Sequence, residues 1–295
     1  MDWKLVTAPM SIESNMTRQE IEPAQSWISR ASGKLTGLAS FLGLLALIEI
    51  WTWFFEVPSY IFPRPSEVLS ALVAGFWAPV FARSSYYIHI ATTATEALAA
   101  FFIGSGLGIA VGALIIQFPF LKRHLLPYFI GLQSVPKVAL APLFVVWFGL
   151  GMSSKVVLGV LLTFFPLMIN TAAGLAGVER ERLELLQSLR ASPWKTFRLV
   201  KLPSALPYIF AGLEMAAAYS VLGAVVGEFV GGTSGLGVLI LNRNAALDIA
   251  GAIAALVILA LMGIGLQRLV VLLRNRLLFW APSPETFPSE RGQQK

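Results

Sequence analysis

Along the chain, apolar and polar positions fall into long blocks, not into the short alternation of strands. Six blocks stay apolar over roughly the 20 residues that a helix needs to cross a hydrocarbon core. They cover about 38–55, 88–116, 126–149, 155–177, 206–230 and 249–273. The pattern predicts an all-α membrane protein with about six transmembrane helices, framed by an N-terminal tail, 1–37, and a C-terminal tail, 277–295. The third block is broken by Pro136, Lys137 and Pro142. A break inside a membrane is tolerated where the backbone faces protein or a water-filled cavity, so this stretch is a candidate for a pathway. Two blocks carry glycine at close-packing spacing: Gly104, Gly108 and Gly112, then Gly223, Gly227 and Gly231. Such stripes let helices approach closely, either inside one bundle, the reading preferred here, or at a dimer seam. Residues 231–248 are too short and too polar at their ends to cross. They read as an outer loop with a short interfacial or re-entrant helix near Val238–Asn242, serving as a rim or as a plain connector.

Composition agrees with a membrane protein. Hydrophobic residues make up 56% and charged residues 13%, with a mean hydropathy of +0.73, whereas soluble domains carry about 25% charge. The absence of cysteine excludes disulfides and thiolate metal sites, and two histidines exclude His-rich metal motifs. Residues 1–37 lack the order of a signal peptide. The formal charge of +6 is read as a record of orientation, not as affinity for nucleic acid. With the N-terminus inside, the inner segments hold sixteen Lys and Arg. The outer segments hold four: Arg64, Arg83, Lys155 and Arg243. Both tails are therefore expected in the cytoplasm. Trp51, Trp53, Tyr60 and Trp77 cluster after the first block as outer interface anchors, and Trp280 is a candidate on the inner side.

Between the fourth and fifth blocks lies a basic stretch, ELLQSLRASPWKTFRLVKLP, residues 184–203. It predicts two short amphipathic helices, broken at Ala191-Ser192-Pro193 and stopped at Pro203. Leu183, Leu186, Leu189, Trp194, Phe197 and Leu199 supply apolar faces; Glu181, Arg182, Arg190, Lys195, Arg198 and Lys201 supply polar ones. Such an elbow suits docking to another protein and also suits lying on anionic headgroups. The pattern alone weighs these equally.

The elbow resembles the EAA loop of bacterial ABC-importer permeases. Glu184-Leu185-Leu186 stands at E-A-A, Arg190 at the following glycine, and Leu202-Pro203 at the closing L-P. SVPKVALAPLFVVWFGLG (134–151), FFPLMINTAAGL (164–175), LPSALPYIFAGL (202–213) and GAVVGEFVGGTSGLGVLI (223–240) resemble the nitrate, sulfonate, taurine and pyrimidine-precursor permease family. IFPRPSEVL (61–69) resembles its segment after the first span, so the likeness runs in order over about 60–280. Leucines replace the alanines, and Arg190 replaces the glycine.

The resemblance implies a type I ABC importer permease fold in the bacterial inner membrane, with a permease domain at 38–276 and a coupling loop at 178–205. In the family this loop sits in a cleft on a separate ATPase. Glu184, Leu185, Leu186, Leu189, Arg190, Ala191, Ser192, Leu202 and Pro203 are the candidate coupling residues. The implied partners are two ATPase subunits, a second copy of the permease and an external or periplasmic solute-binding protein, all in membrane lipid. No P-loop is present, since SGKLTG at 32–37 lacks its first glycine and the final Ser or Thr. No cofactor is therefore expected on this chain, and ATP and magnesium are assigned to the partner.

Ionisable residues within the blocks are Glu49, His89, Glu96, Lys137, Glu214 and Glu228. Charge in a membrane is costly and marks function, yet these are scattered and match no catalytic set, so an embedded enzyme is disfavoured. A gradient-driven secondary transporter would favour inverted repeats, and none stands out. Lys137 has two readings. It snorkels or pairs with a carboxylate such as Glu228, the preferred one, or it faces the pathway with Glu228 as a second candidate lining residue. The solute class is read as a pyrimidine thiamine precursor, a sulfonate or taurine, or nitrate, with a slight lean towards the first.

Overall fold

The computed structural model describes residues 22–79 and 85–280. Among these, every regular element is helical. Two compact units are distinguished, Met1–Ser66 and Glu67–Lys295.

In the first unit, α1 (Glu22–Phe54) carries the first apolar block, with Ala39–Phe54 as its apolar part. It starts well before the predicted position 38, so part of the segment assigned to the tail is helical. Residues 1–21 and 281–295 of the two tails lie outside the described residues. Glu49 on α1 accepts hydrogen bonds from the Ser66 N–H (3.0 Å) and the Ser66 hydroxyl (2.7 Å). Ser66 lies in the first turn of α2 (Pro65–Trp77), so the carboxylate satisfies a donor that a helix start leaves free.

In the second unit, α3 (Tyr86–Gln117) is followed by α4 (Pro119–His124) and α5 (Leu126–Gln133). A 3₁₀ turn, Lys137–Leu140, leads into α6 (Ala141–Phe148) and α7 (Met152–Ala176). The elbow holds α8 (Arg180–Ser188) and α9 (Pro193–Thr196), and α10 (Leu202–Gly231), α11 (Leu236–Ala245) and α12 (Ile249–Leu277) complete the fold. Among the described residues, four helical stretches, not six, are each long and apolar enough to cross a membrane: Tyr86–Gln117, Met152–Ala176, Pro193–Gly231 and Ile249–Leu277; the apolar part of α1, Ala39–Phe54, is shorter than a full span. The third predicted block folds as two helical pieces, Leu126–Gln133 and Lys137–Phe148, bent by 84° at the break between them. Pro136 and Pro142 each lack a donor, and the backbone turns where the sequence predicted a break.

The core forms where α7 lies against both α3 and α10. Small residues make this possible. A Cβ on Gly108 would sit 2.9 Å from the Phe164 carbonyl oxygen, and one on Gly112 would sit 2.6 Å from that of Met168. Gly223 faces the backbone of Gly159, and Gly227 faces Lys155. Both glycine stripes are used in packing within one chain, as preferred from the sequence.

Three expectations need correction. Pro203 does not stop a helix. Residues Phe197–Lys201 form a π turn in which the Leu202 N–H reaches back to the Phe197 carbonyl. This wider turn absorbs the donor that Pro203 lacks, and the helix continues through Gly231. Lys155 is not an outer surface charge but is 3% exposed inside the bundle. Residues 231–248 are not a surface connector. The first four residues of α11 are buried, and Leu236 and Leu239 pack with Tyr86, Ala254, Ala255 and Ile258.

Candidate functional site

The elbow is built by two local devices. At its centre α8 ends in a Schellman turn: the Ala191 N–H bonds the Leu186 carbonyl and the Arg190 N–H bonds that of Gln187, both at 2.9 Å. The residue between, Arg190, adopts φ +49°. The left-handed region costs about 1 kcal/mol for a residue with a Cβ, which explains physically why a glycine suits this position. Ser192 then caps α9, its hydroxyl accepting from the Lys195 N–H at 3.3 Å, and Pro193 opens that helix. Arg190→Gly is therefore expected to raise elbow stability by about 1 kcal/mol and to leave transport intact. Slower hydrogen exchange over 184–196 checks this; faster exchange would show that the arginine side chain makes a contact outweighing its strain.

Four of the elbow's apolar side chains stand largely in the open. Leu185 is 61% exposed, Leu189 69%, Trp194 67% and Leu199 65%. Trp194 stacks on Phe197, with ring centroids 5.8 Å apart. Leu183 and Leu186 are half-buried, so the residues offered outward are Leu185 and Leu189, not Leu186. Glu184 pairs with Arg180 one turn earlier at 2.8 Å, both exposed. Leu202 and Pro203 are half-buried and belong to the start of α10.

A second constellation was not legible in the sequence. Lys155 on α7 meets Glu96 on α3 at 3.3 Å, with both side chains almost wholly buried. Glu228 on α10, also buried, interacts with this pair. One Glu228 oxygen accepts from the Thr93 hydroxyl (2.6 Å) and the other from the Gly237 N–H (2.5 Å). The Leu236 N–H donates to Thr93 Oγ1 (2.8 Å), and His89 Nδ1 lies against the Gly235 backbone. Gly235 itself has φ +122°, a conformation open to glycine. Polar groups of α3 and α10 thus hold the buried start of α11, meeting donors that would otherwise be stranded. Beside it, Ile88, His89, Thr233, Ser234, Leu239, Asn242 and Arg243 line a cleft of about 660 Å³.

Lys137 does not pair with Glu228. Its ammonium donates to the Gln133 carbonyl at 2.8 Å and lies 4.7 Å from the Phe165 ring centroid. It bridges the break in the bent span, joining the last turn of α5 to α7.

A family model described as the binding-protein-dependent transport system inner membrane component matches residues 104–279. The chain belongs to this family. It is an ABC-transporter permease subunit, a multi-pass protein of a bacterial inner-membrane family. Relatives agree over nearly their whole length. The permease is 33% identical to a riboflavin transport system permease of Chloroflexus aurantiacus, over 87% of this chain and 98% of the relative. It is 34% identical to a formylaminopyrimidine transport permease of Halalkalibacterium halodurans, over 81% and 93%. It is 30% identical to a taurine transport permease of Escherichia coli, over 81% and 88%. The inward-facing MetNI methionine ABC transporter matches with a TM-score of 0.50 at 20% identity, over 68% of this chain and 95% of that one. This likeness places the permease in the type I importer fold. The family match takes in the whole elbow together with α7, α10, α11 and Glu228.

Proposed function

We propose that the permease imports a small planar nitrogen heterocycle of the pyrimidine or flavin kind, handed over by an external binding protein. Two of its relatives, at 33% and 34% identity, are named for riboflavin and formylaminopyrimidine; a taurine relative stands at 30%. The observation that carries the transport reading is the ordered elbow with Leu185, Leu189, Trp194 and Leu199 facing outward. An apolar group on a charged elbow outside the bundle suits a cleft on a separate subunit. In this reading two ATPase subunits bind ATP and magnesium and do the hydrolysis, a second permease copy completes the pathway, and Glu184 to Ser192 with Leu202-Pro203 transmit the motion. The deciding experiment is a ligand screen on the partner binding protein. Tight binding of a pyrimidine or flavin, with no displacement by taurine, supports the heterocycle; preference for taurine or nitrate overturns it.

The bias of basic residues supports a topology with both termini and the elbow in the cytoplasm and Asn244 outside. Because the chain has no cysteine, a single Asn244→Cys variant tests this. It should react with an impermeant thiol reagent applied to the outer face, and reaction from the cytoplasmic face alone would reverse the assignment.

Lys137 is assigned to holding the bent span, not to attracting solute, because its ammonium already has a carbonyl and a ring as partners. Lys137→Met keeps the stem and loses both interactions. It should lower the melting temperature of the detergent-solubilised chain by a few degrees, for a loss of about 1–2 kcal/mol. Uptake per folded complex should be unchanged; a selective loss of uptake at unchanged stability would return Lys137 to the pathway.

A further inference from the structure

The C-terminal end of α3 leads into a feature that the proposed function leaves unassigned. α4 and α5 enclose an open cavity of about 540 Å³, lined by Pro119, Lys122, Arg123, Leu126, Pro127 and Ile130. Its rim is two cations and its walls are apolar. Among the described residues neither Lys122 nor Arg123 makes an ion pair or a side-chain hydrogen bond. Both are exposed. The cavity sits where the chain leaves one apolar helix and begins the bent pair; on the topology proposed above, this puts its cationic rim at the level of the inner headgroups and Ile130 one turn deeper than Leu126. Phe120 and Tyr128, 70% and 72% exposed, flank it as interface aromatics do. A soluble protein partner would give no reason for apolar walls that continue into the membrane-crossing helix.

From this juxtaposition we infer that the cavity between α4 and α5 is a binding site for one anionic phospholipid of the inner leaflet. The phosphodiester bridges Lys122 and Arg123, and an acyl chain lies along Leu126 and Ile130. The chemistry selects a lipid with a net negative headgroup, such as phosphatidylglycerol, over a zwitterionic one with the same tails. Basic pockets between helices on the cytoplasmic side recognise headgroups in this way.

The test is lipid retention by the purified full chain in native mass spectrometry, titrated with phosphatidylglycerol or with phosphatidylcholine of the same acyl length. One phosphatidylglycerol should bind in preference. Each single variant, Lys122→Gln and Arg123→Gln, should weaken it about fivefold, and the double variant about 30-fold, as expected for two charges near an anionic surface. Lys195→Gln/Arg198→Gln, an equal loss of charge on the elbow, should leave this lipid bound. Inorganic phosphate at high concentration should not displace it, because it lacks the tails. Equal retention of the two lipids, an equal loss in the elbow variant, or displacement by phosphate overturns the site. So does efficient disulfide formation between two Ile130→Cys chains in native membranes, which would make the cavity a seam between copies. The single variants keep one cation and the apolar walls, so the site remains testable if the double variant fails to fold.

Discussion

Lys155→Met is expected to destabilise the permease by about 3–5 kcal/mol, the cost of stripping one partner from a buried ion pair. Lys155 is the cation of the buried cluster, 3.3 Å from Glu96 and flanked by Glu228. Its removal leaves two carboxyl groups facing each other away from water. One Glu96 oxygen lacks a well-formed hydrogen bond even with the lysine present. The steric side of the change is mild, since methionine has nearly the length of the lysine stem. The readouts are the melting temperature of the detergent-solubilised chain and its yield in the membrane. The double variant Lys155→Met/Glu96→Gln removes the charge of both partners and should recover a large part of the loss. A melting temperature equal to wild type in Lys155→Met would mean that the pair contributes nothing. Failure of the double variant to recover any stability would place the cost in packing against Gly227, which lies on the Lys155 stem.

The second large effect is at the elbow. Truncating Leu185 and Leu189 together to alanine should weaken the ATPase complex by about 2–4 kcal/mol, if each leucine is fully desolvated in a partner cleft. That is roughly 30- to 1,000-fold in affinity. Uptake should fall with it, whereas the melting temperature of the isolated permease should not move, because both side chains stand in solvent. Leu186→Ala, at a half-buried position, should show the opposite pattern, with some loss of stability and a smaller loss of docking. Undiminished co-purification of the ATPase with the Leu185→Ala/Leu189→Ala chain would remove these leucines from the interface.

The fold was legible wherever a local pattern determines the outcome. Apolar runs marked the four long spans and the bent pair, though the first block overstated the apolar length of α1; Pro136 and Pro142 marked the bend, and the spacing of glycines marked the helix faces that touch. Arg190 was recognised as standing at a glycine position, and its positive φ gives that position a physical meaning. The misses are of another kind. Pro203 reads locally as a stop, but a π turn lets the helix pass, and no residue pattern specifies that turn. Glu96, Lys155 and Glu228 each looked like an isolated charge, one of them misplaced on the outer surface. Their meeting depends on how α3, α7 and α10 pack, which a one-dimensional pattern does not contain. The glycines at 235 and 237 are the nearest to a signal for the buried start of α11. Both crowd the Glu228 side chain so closely that a Cβ at either would collide with it.

The uninterrupted course from Pro193 to Gly231 has a mechanical consequence. At 1.5 Å per residue, its 39 residues form a rod about 58 Å long. Trp194 rides near one tip and Glu228 near the other. A tilt of about 5° pivoting at one tip would carry the other by about 5 Å, several times the slack that a hydrogen bond of about 2.9 Å tolerates. The grip of Glu228 on Thr93 and Gly237 cannot stretch over such a distance. Either α11 and α3 travel with the rod as one block, or the grip lets go and the start of α11 is freed. A nudge delivered at the Trp194 tip therefore reaches the Glu228 tip along one continuous helical course, and the π turn at Phe197–Lys201 and Pro207 within α10 are the two places where it can bend on the way.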